Sequence, residues 1–346
     1  GDWAPAVVHA PYGAGDWGDN VVIIADPAPA PLLRTEFDIE GPIESARLYI
    51  AAGGIVEARL NGAPVGDEVL SVGTTDYGER VQYATHDVAD QLSDGPNALA
   101  FELGRGFYAL TTSTSWNWED APWHADPTVR AVLRIVSADG TVREVATDSS
   151  WLAADGPTRF DSMYEGDTYD ARLERRGHDL PGYDASDWHP AREVDGPPGA
   201  LVPRTQPPVR ITDTFAPTQI TEPDPGVFVA HFPRQIAGWA RIFVEGPAGS
   251  QVTLRYSERL LADGNLDLST GFTGGDFQTD RYTLAGTGDT ETWESAFSYK
   301  GFAYVEITGW PDGAPTVDDI EGRLLHTDVA ATGAFSSSTE LFNTIH

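Results

Sequence analysis

From Ala46 to Leu70 the chain reads ARLYIAAGGIVEARLNGAPVGDEVL. Leu48 and Ile50 alternate with Arg47 and Tyr49, and Val56, Ala58 and Leu60 alternate with Glu57 and Arg59. A period of two with one apolar face predicts two half-buried strands. Asn61-Gly62 follows, two residues that tolerate positive φ, and predicts a tight hairpin turn. Val65 is expected to restart the sheet, with Asp67 and Glu68 where it emerges.

The same short-strand pattern continues to about residue 110, with turn clusters roughly every 8 to 12 residues, the spacing of a β-sandwich. Before it, residues 1 to 45 carry Trp3, Trp17 and a Pro-rich run, Asp26 to Pro31, read as an extended arm leading into an alternating strand, Leu33 to Ile39. Asp87 to Leu92 predicts a short helical turn, and Leu99 to Leu103 a strand. Thr111 to Asp126 (TTSTSWNWEDAPWHAD) has three tryptophans and no period. A loop this long in a compact domain is usually functional or disordered, and its indole content argues against disorder. Val129 to Val136 and Val142 to Val145 then flank an Asp139-Gly140 turn.

These patterns divide the chain. A first domain is expected over 1–173 and an ordered linker over 174–215, with Trp188 buried. A second β-sandwich is expected over 216–329, with strands at Phe228–Phe232, Ala240–Val244, Gln251–Tyr256 and Ala303–Ile307 and a turn at Ala262–Asn265. In 330–346, Ser337-Ser338-Thr339-Glu340 matches a capping box, and Leu341, Phe342 and Ile345 begin an apolar helical face. So short a helix predicts that the chain is cut where a helical domain begins.

Composition narrows the function classes. The 346 residues include 36 glycines, 25 prolines and one methionine, which suits an all-β protein rich in turns. The net charge of −31 repels phosphate backbones and anionic lipid, which argues against nucleic-acid and membrane partners. The absence of cysteine excludes disulfides, thiol catalysis and zinc–thiolate sites. No H-E-x-x-H, G-x-S-x-G or phosphate-binding loop is present. Asp170 with Arg172 reads as a structural ion pair or turn cap.

The wording of several segments resembles the N-terminal region of bacterial α-L-rhamnosidases of glycoside hydrolase family 78. Besides the opening stretch, the resemblance rests on Tyr77, Arg80, Tyr83, Thr85-His86-Asp87-Val88, Gly95-Pro96-Asn97-Ala98 and Leu103 to Tyr108. Further on it rests on Trp151, Tyr164 to Arg172, Ile236 to Trp239, Tyr256-Ser257-Glu258, Thr279 to Tyr282 and Tyr299 to Phe302. The chain departs from the family at Ser71-Val72-Gly73-Thr74, where a tryptophan is common.

The resemblance implies an all-β chain, a galactose-binding-like jelly-roll β-sandwich followed by a second β-sandwich. It implies an extracellular or periplasmic enzyme acting on rhamnose-containing carbohydrate. The acid and base of an inverting reaction would lie in an (α/α)6 catalytic domain of the same polypeptide, so no catalytic residue is expected here. In some members the first domain is a calcium-dependent L-rhamnose-binding module, carbohydrate-binding module family 67. By that resemblance Asp67 and Glu68 are the expected calcium ligands. The expected sugar-binding set is Asp67, Glu68, Trp118, Asp120 and Trp123. The structural alternatives are that Asp67 caps a turn and the tryptophans pack an interface. The functional alternatives are a free-standing carbohydrate-binding protein, a pair of domains that only dock the barrel, and a complete β-sandwich enzyme such as a lyase.

Overall fold

A computed structural model of the chain describes residues 28–269 and 273–345. Trp3, Trp17 and the start of the Pro-rich run lie outside the described residues. The chain is all-β, apart from three single-turn 3-10 helices and one α-helix, Glu340–Ile345, among the described residues.

The first sandwich has two sheets. One takes the order His189–Pro190, Leu152–Asp155, Pro31–Ile39, Gly95–Gly104, Ile55–Leu60, Ala63–Pro64. The other runs Ala200–Pro203, Arg80–Asp87, Ile43–Gly53, Thr128–Ser137, Val142–Ala146. Alternation decides what faces inward: Leu48, Ile50, Leu133 and Ile135 from one sheet meet Val56, Leu60, Leu99 and Phe101 from the other in one buried core. Trp151 stacks on Phe101 at 5.2 Å, with its Nε1–H donating to the Ala146 carbonyl at 2.9 Å.

The opening stretch folds as two strands in different sheets. Ile43–Gly53 and Ile55–Leu60 are consecutive yet do not pair, because the chain crosses from one sheet to the other at Gly53-Gly54. Gly54 has φ +107°, and a Cβ there would lie 2.4 Å from the Gly104 carbonyl oxygen, so only glycine turns this corner. The predicted hairpin is present, with Asn61 and Gly62 at φ 51° and 83° and Leu60 opposite Ala63.

The second domain is a ten-stranded sheet wrapped around its own core, which contains Phe228, Ile242, Val252, Tyr256, Phe302 and Ile307. The two strands expected at 228–232 and 240–244 are one long strand, Val227–Val244. Its first half pairs with Lys300–Thr308 and its second with Ile320–Thr327, with a register shift between His231 and Ile236. The shift lets one strand serve both layers.

Strand pairing runs across the expected boundary at Leu173. The hairpin Thr158–Ser162/Gly166–Asp170 leaves the first sandwich and joins the second sheet, through parallel pairing of Thr168–Asp170 with Arg281–Thr283. The expected linker is shared out as well. His189–Pro190 and Ala200–Pro203 return to the first sandwich, whereas Val209–Phe215 pairs with Ile320–Thr327 in the second sheet. Strand edges recruit whichever backbone lies beside them, and side-chain periodicity carries no record of the partner. Trp188 is buried as expected. The terminal helix starts at Glu340, and Leu341, Phe342 and Ile345 on it are exposed.

Candidate functional site

The loop from Thr111 to Asp126 is held by stacked rings. Trp123 packs edge-on against Tyr77 at 5.1 Å and parallel to Tyr108 at 6.0 Å. Trp118 lies 5.0 Å from Phe107, and its Nε1–H donates to the Tyr164 hydroxyl at 3.3 Å. Trp116 is 56 % exposed and stacks on Tyr164, at 5.8 Å between centroids and 10° between planes.

Below this stack, at the junction of the two domains, lies a cavity of about 280 Å³. Phe107, Trp116, Met163 and Tyr164 come from the first part of the chain, and Phe277 and Tyr299 from the second. Thr273 and Gln278 complete the wall. Gln278 is satisfied by the backbone of Tyr256 and Gly301, whereas the Thr273 hydroxyl is buried without a hydrogen-bond partner. Among the described residues no carboxylate lines the cavity. An apolar, aromatic cavity with a few polar atoms suits a saccharide face or another small apolar group.

The segment Tyr164 to Arg172 joins this cavity to the domain junction. Tyr164 is the lower ring of the stack. Glu165 accepts from the Thr112 hydroxyl at 2.5 Å and from the Asp276 N–H at 3.1 Å, binding the aromatic loop to the second domain. Gly166 has φ +117°, and a Cβ would meet the Thr279 carbonyl oxygen at 2.4 Å. Asp167 accepts, through Oδ2, from the Ser295 hydroxyl and the N–H groups of Ala296 and Phe297. Asp170 caps the following 3-10 turn by accepting from the Arg172 N–H, and its carboxylate also pairs with the Arg172 guanidinium at 2.7 Å. The structural reading of Asp170 therefore holds, and these acids act as fasteners.

The structure distributes the expected sugar-binding set over two environments. Trp118 and Trp123 belong to the aromatic cluster, and Asp120 is exposed beside them on the turn Trp118–Asp120. Asp67 and Glu68 belong to a cluster of arginines. Asp67 pairs with Arg210 at 2.6 Å, and Arg210 also holds Asp328. The Glu68 side chain is 7 % exposed and accepts from Arg204 at 2.5 Å and Ser71 at 2.7 Å, with His86 Nε2 at 3.4 Å. Burial pushes the Glu68 carboxyl up, but donors from His86, Arg204 and Ser71 outweigh it and hold the carboxyl at about 2.

A calcium ion needs six to eight oxygens converging on one point. At Asp67 and Glu68 the carboxylates already face guanidinium groups, so this donor set does not fit calcium. Among the described residues no group of three or more His, Asp or Glu is arranged to hold a metal ion. Sequence reasoning singled out a loop that borders this cavity through Trp116 but did not place Tyr164, Phe277 and Tyr299 beside it. The loop's own density of indole was the available signal, and the opposite wall is contributed by residues more than a hundred positions away.

The comparisons with known proteins agree with this architecture. The family model for the alpha-L-rhamnosidase N-terminal domain matches residues 41–213. That for the bacterial alpha-L-rhamnosidase concanavalin-like domain matches residues 221–326. An alpha-L-rhamnosidase of Streptomyces avermitilis is 38 % identical over 99 % of this chain and 33 % of its own length. The crystal structure of Streptomyces avermitilis alpha-L-rhamnosidase complexed with L-rhamnose aligns with a TM-score of 0.87 and 37 % identity, over 97 % of this chain and 32 % of that one. The alpha-L-rhamnosidase structure from Dictyoglumus thermophilum aligns with a TM-score of 0.85 and 37 % identity, over 92 % and 34 %. The chain spans about a third of the length of the curated relatives it matches.

Proposed function

The chain belongs to the bacterial α-L-rhamnosidase family, and on that premise we propose that it is the β-rich, non-catalytic region of an enzyme that releases L-rhamnose from rhamnosyl glycosides or polysaccharides. The observation that carries this reading is the match of two rhamnosidase domain models in series, alongside relatives about three times as long. A glycosidase places two carboxylates across the scissile bond, roughly 5 to 10 Å apart. Among the described residues the aromatic cavity has no carboxylate in its wall. In this reading the acid and base come from an (α/α)6 domain of the same polypeptide, outside the cytoplasm.

Within that enzyme the aromatic cavity is the sugar-contacting part of this region. The rings that line the cavity, Phe107, Tyr164, Phe277 and Tyr299 with Trp116, would pack on the apolar face of a 6-deoxy sugar, while Trp118 and Trp123 hold the loop in place. Calcium has no part in this version of the site, because Asp67 and Glu68 are neutralised by Arg210 and Arg204. The test of the enzymatic reading is an assay of purified residues 1–346 on an aryl α-L-rhamnoside. No release of rhamnose is expected. Turnover that survives repurification would overturn the non-catalytic assignment.

A further inference from the structure

A second, acidic crevice separates the outer face of the first sandwich from the strand Glu291–Glu294. It encloses about 200 Å³, and its wall includes Glu102, Thr158, Asp167, Tyr169, Trp293 and Glu294. Glu57 stands directly opposite Glu102 in the antiparallel register. Their neighbours Val56, Phe101 and Leu103 point into the first core, so both glutamates project from the other face of the sheet. Like charges opposed across a strand pair repel.

Of the nearby cations only Arg241 and Arg323 reach the crevice wall, at Glu294, and none pairs with Glu57, Glu102 or Asp167 among the described residues. Arg59 pairs with Asp179, Arg105 with Asp161 and Lys300 with Asp280, while Arg241 and Arg323 share Glu294 and Glu321. Among the described residues Glu57 makes no hydrogen bond or ion pair, and Glu102 accepts only from the Thr158 hydroxyl at 2.6 Å. Asp167 is 2 % exposed. Its Oδ2 has three donors, but its Oδ1 is buried with none. A buried carboxylate oxygen without a partner is costly, and it marks where a donor is wanting.

We propose that this crevice is a binding site for an organic cation of the ammonium or guanidinium class, whose N–H groups donate to Asp167 Oδ1 and Glu102 with Trp293 and Tyr169 alongside. Three features select this chemistry. The acids do not converge as a metal's ligand set. An N–H donor needs only one acceptor per hydrogen. Aromatic walls favour a weakly hydrated cation. The volume is several times the ~30 Å³ share of one water molecule, enough for a group of a few heavy atoms.

Proton and cation compete for the site. Burial, then repulsion from Glu102, pushes Glu57 up to about 8 against the pull of Arg59, with Glu68 and Glu294 adding to the rise. Burial also lifts Glu102 to about 7, against the Thr158 hydroxyl and with Asp161 and Asp167 adding to it. Tyr169, whose hydroxyl donates to Glu174 at 3.1 Å, faces the same space. Cation binding therefore strengthens as these carboxyls ionise.

The experiment is calorimetry and thermal unfolding of the full chain with methylammonium and methylguanidinium. Tetramethylammonium, which lacks N–H donors, and sodium chloride at equal ionic strength are the controls. A short capped peptide containing arginine distinguishes a basic side chain from a free small cation as the source. The expected result is a saturable response to the N–H donors, roughly tenfold weaker at pH 6 than at pH 9, and lost in Glu102→Gln and in Glu57→Gln. Glu57 has no hydrogen bond to lose, so its variant carries the test if Glu102→Gln fails to fold. A response matched by tetramethylammonium or sodium chloride, or one unchanged in the variants, overturns the proposal.

Discussion

Lys300 and Asp280 form an ion pair that solvent does not reach: Nζ lies 2.6 Å from Oδ1, and the two side chains are 1 % and 0 % exposed. Asp280 also accepts from the Tyr256 hydroxyl and from the Asp167 N–H, and Lys300 donates to Ser295. The pair thus joins the hairpin Thr158–Asp170, which comes from the first half of the chain, to the centre of the second sheet. Removing one partner leaves an uncompensated buried charge, so Lys300→Met is expected to destabilise the protein by about 3–5 kcal/mol. Urea denaturation of the two proteins measures it. A loss below about 1 kcal/mol would mean that Asp280 takes up a proton cheaply when its partner goes.

Glu68 sets the acid limb of stability. Its carboxyl sits at about 2 in the folded protein against an ordinary 4.5. A lowered carboxyl contributes stability that is fully present above pH 4.5 and is lost as pH falls towards 2. Thermal unfolding between pH 7 and pH 2 is expected to show a steeper acid loss in the native protein than in Glu68→Gln. Parallel curves would show that the Arg204 and His86 contacts do not persist in solution.

Glu57 and Glu102 work in the opposite direction. Their folded values of about 8 and about 7 exceed the ordinary 4.5, so the native state binds more protons than the unfolded chain between these limits. Stability accordingly falls as pH rises from 4.5 to 8. Glu57→Gln is expected to be the more stable protein at pH 8.5 in a buffer free of amines. Equal melting temperatures there would show that the crevice does not hold the two charges close together.

Sugar binding by the aromatic cavity is expected to be weak, since a monosaccharide offers few atoms and a Kd of ~1 mM corresponds to only about −4 kcal/mol. Calorimetry with L-rhamnose, with galactose and fucose as controls, should detect it at high protein concentration. Trp116→Ala and Tyr164→Ala should each weaken it roughly tenfold. EDTA should leave it unchanged. Binding that disappears in EDTA and is abolished by Asp67→Ala would instead establish the calcium-dependent site.

The sequence by itself determined the strand faces and the turns. Leu48, Ile50, Val56 and Leu60 are buried as their period of two requires, and Asn61-Gly62 turns the hairpin. Both are consequences of local sterics and alternation, which a linear pattern records in full. The family was legible for the same reason, because its glycines, aspartates and aromatics stand in order along the chain. Partner choice was decided only in three dimensions. The partners of Asp67 and Glu68, Arg210 and Arg204, arrive from more than a hundred residues away. The Thr158–Asp170 hairpin read as part of the first sandwich, yet an open edge at Thr279–Thr283 captured it. The aromatic cavity needed Phe277 and Tyr299 to close against Trp116 and Tyr164. Charge pairing, edge pairing and cavity closure all depend on which groups come near in space, and an alternating pattern states only which side of a strand each residue occupies.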